Sequence, residues 1–187
     1  MEEFFKQLNA VRQLNSDEMN AIGALITVKK LEKGDMWLEE GKRASLMGFI
    51  QKGYLRKYYI KDGVEVTDYF YLENSFTGDI PSIVSKSPSI ANMVAMEPTT
   101  ILCISYANMD MLCNKYHNIE HIMRVMIEHA FITFYYRSFS FISSSPKERY
   151  AKLMEEQPQV LQRVAQYHIA SFLGITPVHL SRLRAEK

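Results

Sequence analysis

Cysteine is nearly missing from this sequence. Cys103 and Cys113 are the two among 187 residues, which excludes a disulfide framework and leaves too few thiolates for a four-cysteine cluster within one chain. Both read as small buried hydrophobes. Long apolar runs are missing too: the longest charge-free run, Val164 to Ser181, contains Gln166, His168, Gly174 and Pro177, so no membrane span and no membrane partner are expected. The opening MEEFFKQLNAVRQLNSDE carries charges where a secretory leader needs an apolar core, and the expectation is a cytoplasmic protein. No nucleophile motif and no phosphate-cradling glycine loop is visible, so no catalytic residue and no cofactor is expected. All five histidines, His117, His121, His129, His168 and His179, fall in the second half. His117 and His121 share a helix face at i, i+4, but they read as ordinary surface or interface histidines, and no metal is expected.

What is present begins with a soluble composition, 47% hydrophobic and 23% charged, enough for one larger domain and a small one. The net charge of +1 is uneven. From Pro146 to Lys187 seven positive residues (Lys147, Arg149, Lys152, Arg163, Arg182, Arg184, Lys187) face four glutamates (Glu148, Glu155, Glu156, Glu186), which is +3 there and −2 elsewhere. Such asymmetry points modestly to a polyanion partner at that end.

Three zones follow along the chain. Glu2 to about Val28 is helical, with Phe4, Phe5, Leu8, Val11 and Leu14 at helical spacing and Ser16 or Asn15 available to cap a second short helix. Between Leu31 and Ser105 the period changes. "SLMGFIQKGYLRKYYIKDGVEVTDYFYL" is rich in β-branched and aromatic residues, Lys52-Gly53 and Asp62-Gly63 mark turns, and Gly34, Gly41 and Gly78 supply more. Short strands with regular turns and no helices between them argue for an antiparallel sandwich or barrel.

After Tyr106 a short helix fits Ala107 to Lys115, and a long one His117 to about Ile142, "FYYRSFSFI" included. In the long helix Glu120, Arg124 and Glu128 form a narrow polar stripe, while Ile119, Ile122, Met123, Val125, Met126, Ile127, Phe131, Phe134 and Tyr135 cover the rest. A helix apolar on so many sides needs two covers. One is the β body and the other is a second copy of the helix, with Ile119, Ile122, Met126 and His129 as the expected dimer positions. "SSSPKERY" then offers Ser145 as N-cap, Pro146 at the first position and Glu148 to complete a capping box. Pro158 closes that helix and another runs through Ile169 to Leu173.

In "HIASFLGITPVHLSRLRAEK" Gly174 supplies the positive φ of a tight helix-to-helix turn, Thr176 caps the second helix and Pro177 takes its first position. Ile169, Leu173, Ile175, Leu180 and Leu183 can form a small core, leaving Val178, His179, Ser181, Arg182 and Arg184 outward. A two-helix unit with an outward basic second helix has the shape that enters a DNA major groove, where arginine can grip guanine O6 and N7. The plain alternative is an αα-corner with a solvated charged face.

"IASFLGITPVHLSRLR" resembles the helix-turn-helix of the Crp/Fnr family of regulators, and the order of zones agrees with that family along nearly the whole chain. The resemblance implies an α+β chain: an antiparallel jelly-roll sensor barrel with N-terminal helices over residues 1–116, a dimerisation helix over 117–143 and a helix-turn-helix domain over 144–187. It implies a homodimer on a twofold-symmetric operator in double-stranded DNA, with RNA polymerase as a candidate further partner. The family's recognition-helix arginine falls on Arg182, preceded by Ser181; Thr176, Val178, His179 and Arg184 complete the candidate DNA contacts. Pro177 and Val178 stand where polar readers are usual in the family, so the operator sequence is not inherited. With Lys187 as the last residue, no strands are expected after the recognition helix.

In cyclic-nucleotide-binding relatives a glycine and a glutamate are followed by an arginine with serine or threonine beside it; the arginine pairs with the cyclic phosphate. Here "FTGDIPSIVSKSPSIANMVAME" has Gly78 and Asp79 at the first two places but Ser89 and Ile90 at the last two. Lys86 lies nearby without an arginine's bidentate grip. The cassette reads as degenerate, the protein is not expected to respond to cyclic AMP in the usual way, and the effector is unknown. Tyr54, Tyr58, Tyr69 and Tyr71 are candidates to line a pocket for an apolar or stacking ligand. The family's iron–sulfur members need an N-terminal cysteine cluster, and the cupin enzymes that share the jelly roll need barrel histidines; neither is present here. The expected function is a homodimeric, non-enzymatic DNA-binding transcription regulator. A cyclic-nucleotide-responsive regulator of the same fold, and a dimeric interaction protein that does not bind DNA, are the alternatives.

Overall fold

The computed structural model describes residues 1–185; Glu186 and Lys187, the end of the expected DNA-binding segment, lie outside the described residues. Two short helices open the chain, α1 (Glu2–Val11) and α2 (Ser16–Leu25). Asn15, not Ser16, caps α2: its Oδ1 accepts from the Glu18 N–H and the Glu18 carboxylate accepts from the Asn15 N–H, each at 2.9 Å.

Eight strands follow: β1 (Thr27–Leu31), β2 (Met36–Leu38), β3 (Leu46–Lys52), β4 (Leu55–Lys61), β5 (Val64–Tyr71), β6 (Phe76–Thr77), β7 (Asn92–Ala95) and β8 (Thr99–Ser105). They form two four-stranded sheets in the orders β1-β8-β3-β6 and β2-β7-β4-β5, the jelly-roll arrangement. Asp62 and Gly63, both at positive φ, make the β4–β5 turn. The expected barrel is corrected to an open sandwich. Strands of two and three residues at the edges, β6 and β2, carry too few hydrogen bonds to take a ladder round the corner.

Strict alternation along the central strands sends side chains to both faces, and both faces are covered. Ile50, Leu55, Met93 and Ile101 fill the space between the sheets. Phe49, Leu102 and Ile104, one residue out of phase with Ile50 and Ile101, lie beneath helices and pack with Phe4, Leu8 and Ile22. That is why "TILCI" in β8 reads as an unbroken apolar run.

Beyond the sandwich come α4 (Tyr106–Lys115), α5 (His117–Ser143), α6 (Pro146–Glu156), α7 (Pro158–Arg163), α8 (Gln166–Leu173) and α9 (Pro177–Ala185), while α3 (Ile80–Ser85) lies between β6 and β7. Pro158 therefore does more than end α6: it is the first residue of a separate short helix. "FYYRSFSFI" is helical within α5. No helix of the described residues is long and apolar enough to cross a membrane.

The chain forms two compact units, one of Met1–Lys57 with Phe70–His129, the other of Tyr58–Tyr69 with the chain from Ala130 onward. The division falls inside α5, after His129. Ile119 and Ile122, expected on the dimer face, are buried in the helical core of the first unit, and Met126 packs on the same cluster. His129 is exposed but off the apolar stripe. The exposed apolar side chains of α5 come later: Ile127, Phe131, Ile132, Phe134, Tyr135, Tyr136, Phe139, Phe141 and, at 85% exposure, Ile142.

Candidate nucleic-acid interface and ligand cassette

In the second unit, α8 ends in a Schellman turn. Gly174 sits at φ +68°, its N–H reaches the Ser171 carbonyl at 3.0 Å, and the Ile175 N–H reaches that of Ala170 at 3.0 Å. Thr176 then caps α9, its Oγ1 accepting from the His179 N–H at 3.2 Å, with Pro177 following. Ile169, Leu173, Leu180 and Leu183 are buried together at this corner, and Ile175 is half-buried. Thr176, Val178, His179, Ser181, Arg182 and Arg184 are all exposed. Helical spacing groups Val178, Ser181, Arg182 and Ala185 on one face, flanked by His179 and Arg184. From Gln157 to Ala185 the sequence has three arginines, Arg163 in α7 and Arg182 and Arg184 in α9, and no acidic residue; Glu186 follows.

Two arginines that sequence reasoning passed over hold this corner. Arg149 donates from Nε and Nη2 to the Leu173 carbonyl at 3.1 and 3.0 Å, and from Nη1 to those of Ser144 and Ser140 at 2.5 and 3.4 Å. One planar guanidinium thus satisfies terminal carbonyls of both α5 and α8. Arg137 donates to the Phe172 carbonyl at 3.0 Å and lies over the Phe172 ring at 3.7 Å. Burial pulls its pKa down to about 10, against the opposing pull of Asp68. The β5 strand joins in: the Thr67 N–H donates to Ser171 Oγ at 2.9 Å. The one available signal was an arginine inside each of two otherwise helical segments, Arg137 among aromatics and Arg149 after a capping proline. The expected capping box at Ser145 and Glu148 is present, and the Ser145 hydrogen bonds hold the Glu148 carboxyl below its usual pKa.

Gly174 has no room for a side chain. A Cβ there meets Phe141 Cε1 at 2.9 Å, on a backbone already in the left-handed region. Gly174→Ala is expected to cost about 1–2 kcal/mol in backbone strain, with the ring contact adding to it, read as a lower thermal unfolding midpoint.

In the first unit, Gly78 and Asp79 lead into α3, and Lys86 at φ 57° ends it. Asp79 is buried, and the buried Lys57 Nζ of β4 stands 3.1 Å from its Oδ1. Ser89, at the place of the expected phosphate arginine, is also buried; its hydroxyl donates to the Ala91 carbonyl and accepts from the Ala91 N–H, both at 3.0 Å. Its backbone is pinned to the 39–42 turn through Gly41 and Lys42, each bond 2.8 Å. Ile90 is 73% exposed. The acidic group of the cassette thus already has a cation and the serine is turned on its own loop. Lys57 was missed; two adjacent cations inside the apolar strand "YLRKYYI" were the signal. Of the four tyrosines, Tyr54 is buried, Tyr58 and Tyr71 are half-buried, and Tyr69 lines a cleft in the second unit. Among the described residues no three metal-binding side chains converge.

Comparison with known proteins bears on both halves. The family model for the cyclic nucleotide-binding domain matches residues 28–116. A search of curated proteins finds no relative. Among solved structures, FixK2 from Bradyrhizobium japonicum is 15% identical with a TM-score of 0.75, over 86% of this chain and 83% of that one. The c-di-GMP responsive global regulator CLP from Xanthomonas campestris is 12% identical with a TM-score of 0.71, over 92% and 91%. A protein from Eubacterium rectale described as a transcriptional regulator of the crp/fnr family is 17% identical with a TM-score of 0.70, over 98% and 86%. At these identities the likeness is one of fold.

Proposed function

We propose that this chain, a cyclic nucleotide-binding domain joined to the fold of Crp/Fnr-type transcription regulators, is a homodimeric DNA-binding regulator that does not sense cyclic AMP in the usual way. The observation that carries the reading is the α8–Gly174–α9 corner, which presents Arg182 with Ser181 and Val178 on an exposed face that carries no acidic side chain among the described residues. Arginine at such a place grips a guanine edge, and flanking Arg184, His179 and the α9 N-terminus suit phosphates. The effector half of the proposal is supported by the Lys57–Asp79 pair and by Ser89 in the arginine's place. A cyclic phosphate there would meet no guanidinium, and the Asp79 carboxylate is already paired with Lys57.

Phe131, Phe134, Tyr135 and Ile142, spaced i, i+3, i+4 and i+11 along α5, supply the dimer face in place of Ile119 and Ile122. Phe134→Asp is expected to convert a dimer into a monomer in light scattering at micromolar concentration. A buried aromatic anchor at an interface centre contributes about 2 kcal/mol or more. An unchanged mass would move the interface elsewhere.

Selection of genomic DNA fragments with purified protein, run with and without cyclic AMP, tests the whole proposal. A palindromic site recovered equally under both conditions supports it. Recovery only with cyclic AMP restores a conventional sensor, and no palindrome under either condition favours a dimer that acts through protein partners.

A further inference from the structure

The second unit contains a cleft of about 220 Å³ lined by Tyr69 of β5, Thr133, Tyr136 and Arg137 of α5, Gln157 at the α6–α7 junction and Phe172 of α8. That volume exceeds the 150 Å³ or so that holds a benzene molecule. Thr133, Arg137 and Ser140, at i, i+4 and i+7, face it from a side of α5 different from the Phe131, Phe134, Tyr135 and Ile142 stripe, so the cleft does not coincide with the proposed dimer face.

Three features define an occupant. Tyr69, Tyr136 and Phe172 supply aromatic surface, which takes a planar ring. The Gln157 side chain hydrogen-bonds Tyr69, while its Oε1 is buried with no hydrogen-bond partner among the described residues. A buried acceptor of this kind calls for a donor. The Arg137 guanidinium is mostly buried and is paired with the Asp68 carboxylate, 3.9 Å from Nε. Arg149 adds a second positive charge on the same wall. The acids at the cleft are otherwise engaged, Glu148 with Ser145 and Glu156 with Lys152 at 3.6 Å. The interior therefore favours an anionic group.

We propose that this cleft binds a small planar aromatic carboxylate bearing a ring N–H or O–H donor, the ring between the aromatic walls, the carboxylate toward Arg137 and the donor on Gln157 Oε1. The proposal concerns binding alone and stands whether or not the protein regulates transcription.

Calorimetric titration of the full chain with indole-3-carboxylate, 1-naphthoate and indole tests it. Indole-3-carboxylate is expected to bind about tenfold tighter than 1-naphthoate, which lacks the donor, and at least tenfold tighter than indole, which lacks the charge. Gln157→Met is expected to erase the preference over 1-naphthoate while leaving 1-naphthoate binding in place. Thr133→Phe, which fills the cleft, is expected to abolish binding of all three. Absence of binding at millimolar ligand, or equal binding of the three by the unaltered protein, overturns the proposal without any variant having to fold. Binding that survives Thr133→Phe in a folded protein also overturns it, by placing the ligand elsewhere.

Discussion

Arg182→Ala is expected to lower affinity for a selected palindromic site by a factor between roughly 30 and 25,000 while leaving the protein folded. A bidentate arginine–guanine contact discriminates by about 1–3 kcal/mol, and a twofold-symmetric complex makes it twice, so the dimer loses about 2–6 kcal/mol. Arg182 is exposed and stands clear of the buried corner formed by Leu180 and Leu183, so its removal is expected to change unfolding free energy by no more than about 0.5 kcal/mol. Titration of a labelled operator at several salt concentrations checks this. The loss should fall on the specific site and spare random DNA. Arg184→Ala should instead weaken both alike and reduce the salt slope by about one per subunit. If Arg182→Ala behaves as Arg184→Ala does, Arg182 contacts phosphate, and specificity comes from elsewhere on α9.

Lys57→Met is expected to destabilise the first unit by about 3–5 kcal/mol, because it strands the Asp79 carboxylate in the interior. The two side chains are 10% and 5% exposed at 3.1 Å, so water does little to screen what remains. Asp79→Asn is expected to be destabilising for the mirror reason. The double variant Lys57→Met with Asp79→Asn should recover most of the loss, since removing both members leaves no uncompensated charge. Denaturant unfolding of the four proteins closes the cycle. Additive single effects would show that each residue is held by other partners. The pair also bears on sensing. If cyclic AMP bound through Asp79, it should shift the unfolding midpoint; no shift is expected.

Much of the fold was legible because it is local. Asn15 with Glu18, Ser145 with Glu148, Thr176 with the His179 N–H, and the Asp62-Gly63 turn each join residues one to three apart. Gly174 announced the corner before α9, and Leu180 and Leu183 fell on its buried side. The cassette was half legible. The family resemblance set Gly78, Asp79, Ser89 and Ile90 at its places, but Lys57, 22 positions before Asp79, could not be assigned to it. The α5 dimer positions went to Ile119, Ile122 and Met126 because an all-round apolar helix presents equivalent stripes to a sequence reader.

The sequence by itself determined the order of elements, the caps and turns between them and the basic character of α9. All of these follow from backbone chemistry and side-chain type within a few residues. Tertiary structure alone decided which stripe of α5 is covered by its own chain, which cation holds Asp79, and how Arg137 and Arg149 fasten the end of α8. It also decided that Tyr69, Arg137 and Gln157 line one cleft. Those outcomes join residues far apart in the chain: Phe4 and Ile122, in the core that covers α5, are 118 positions apart. Hydrophobic burial is non-directional and charges pair with whatever lies near, so periodicity can mark a face to be covered without naming its cover.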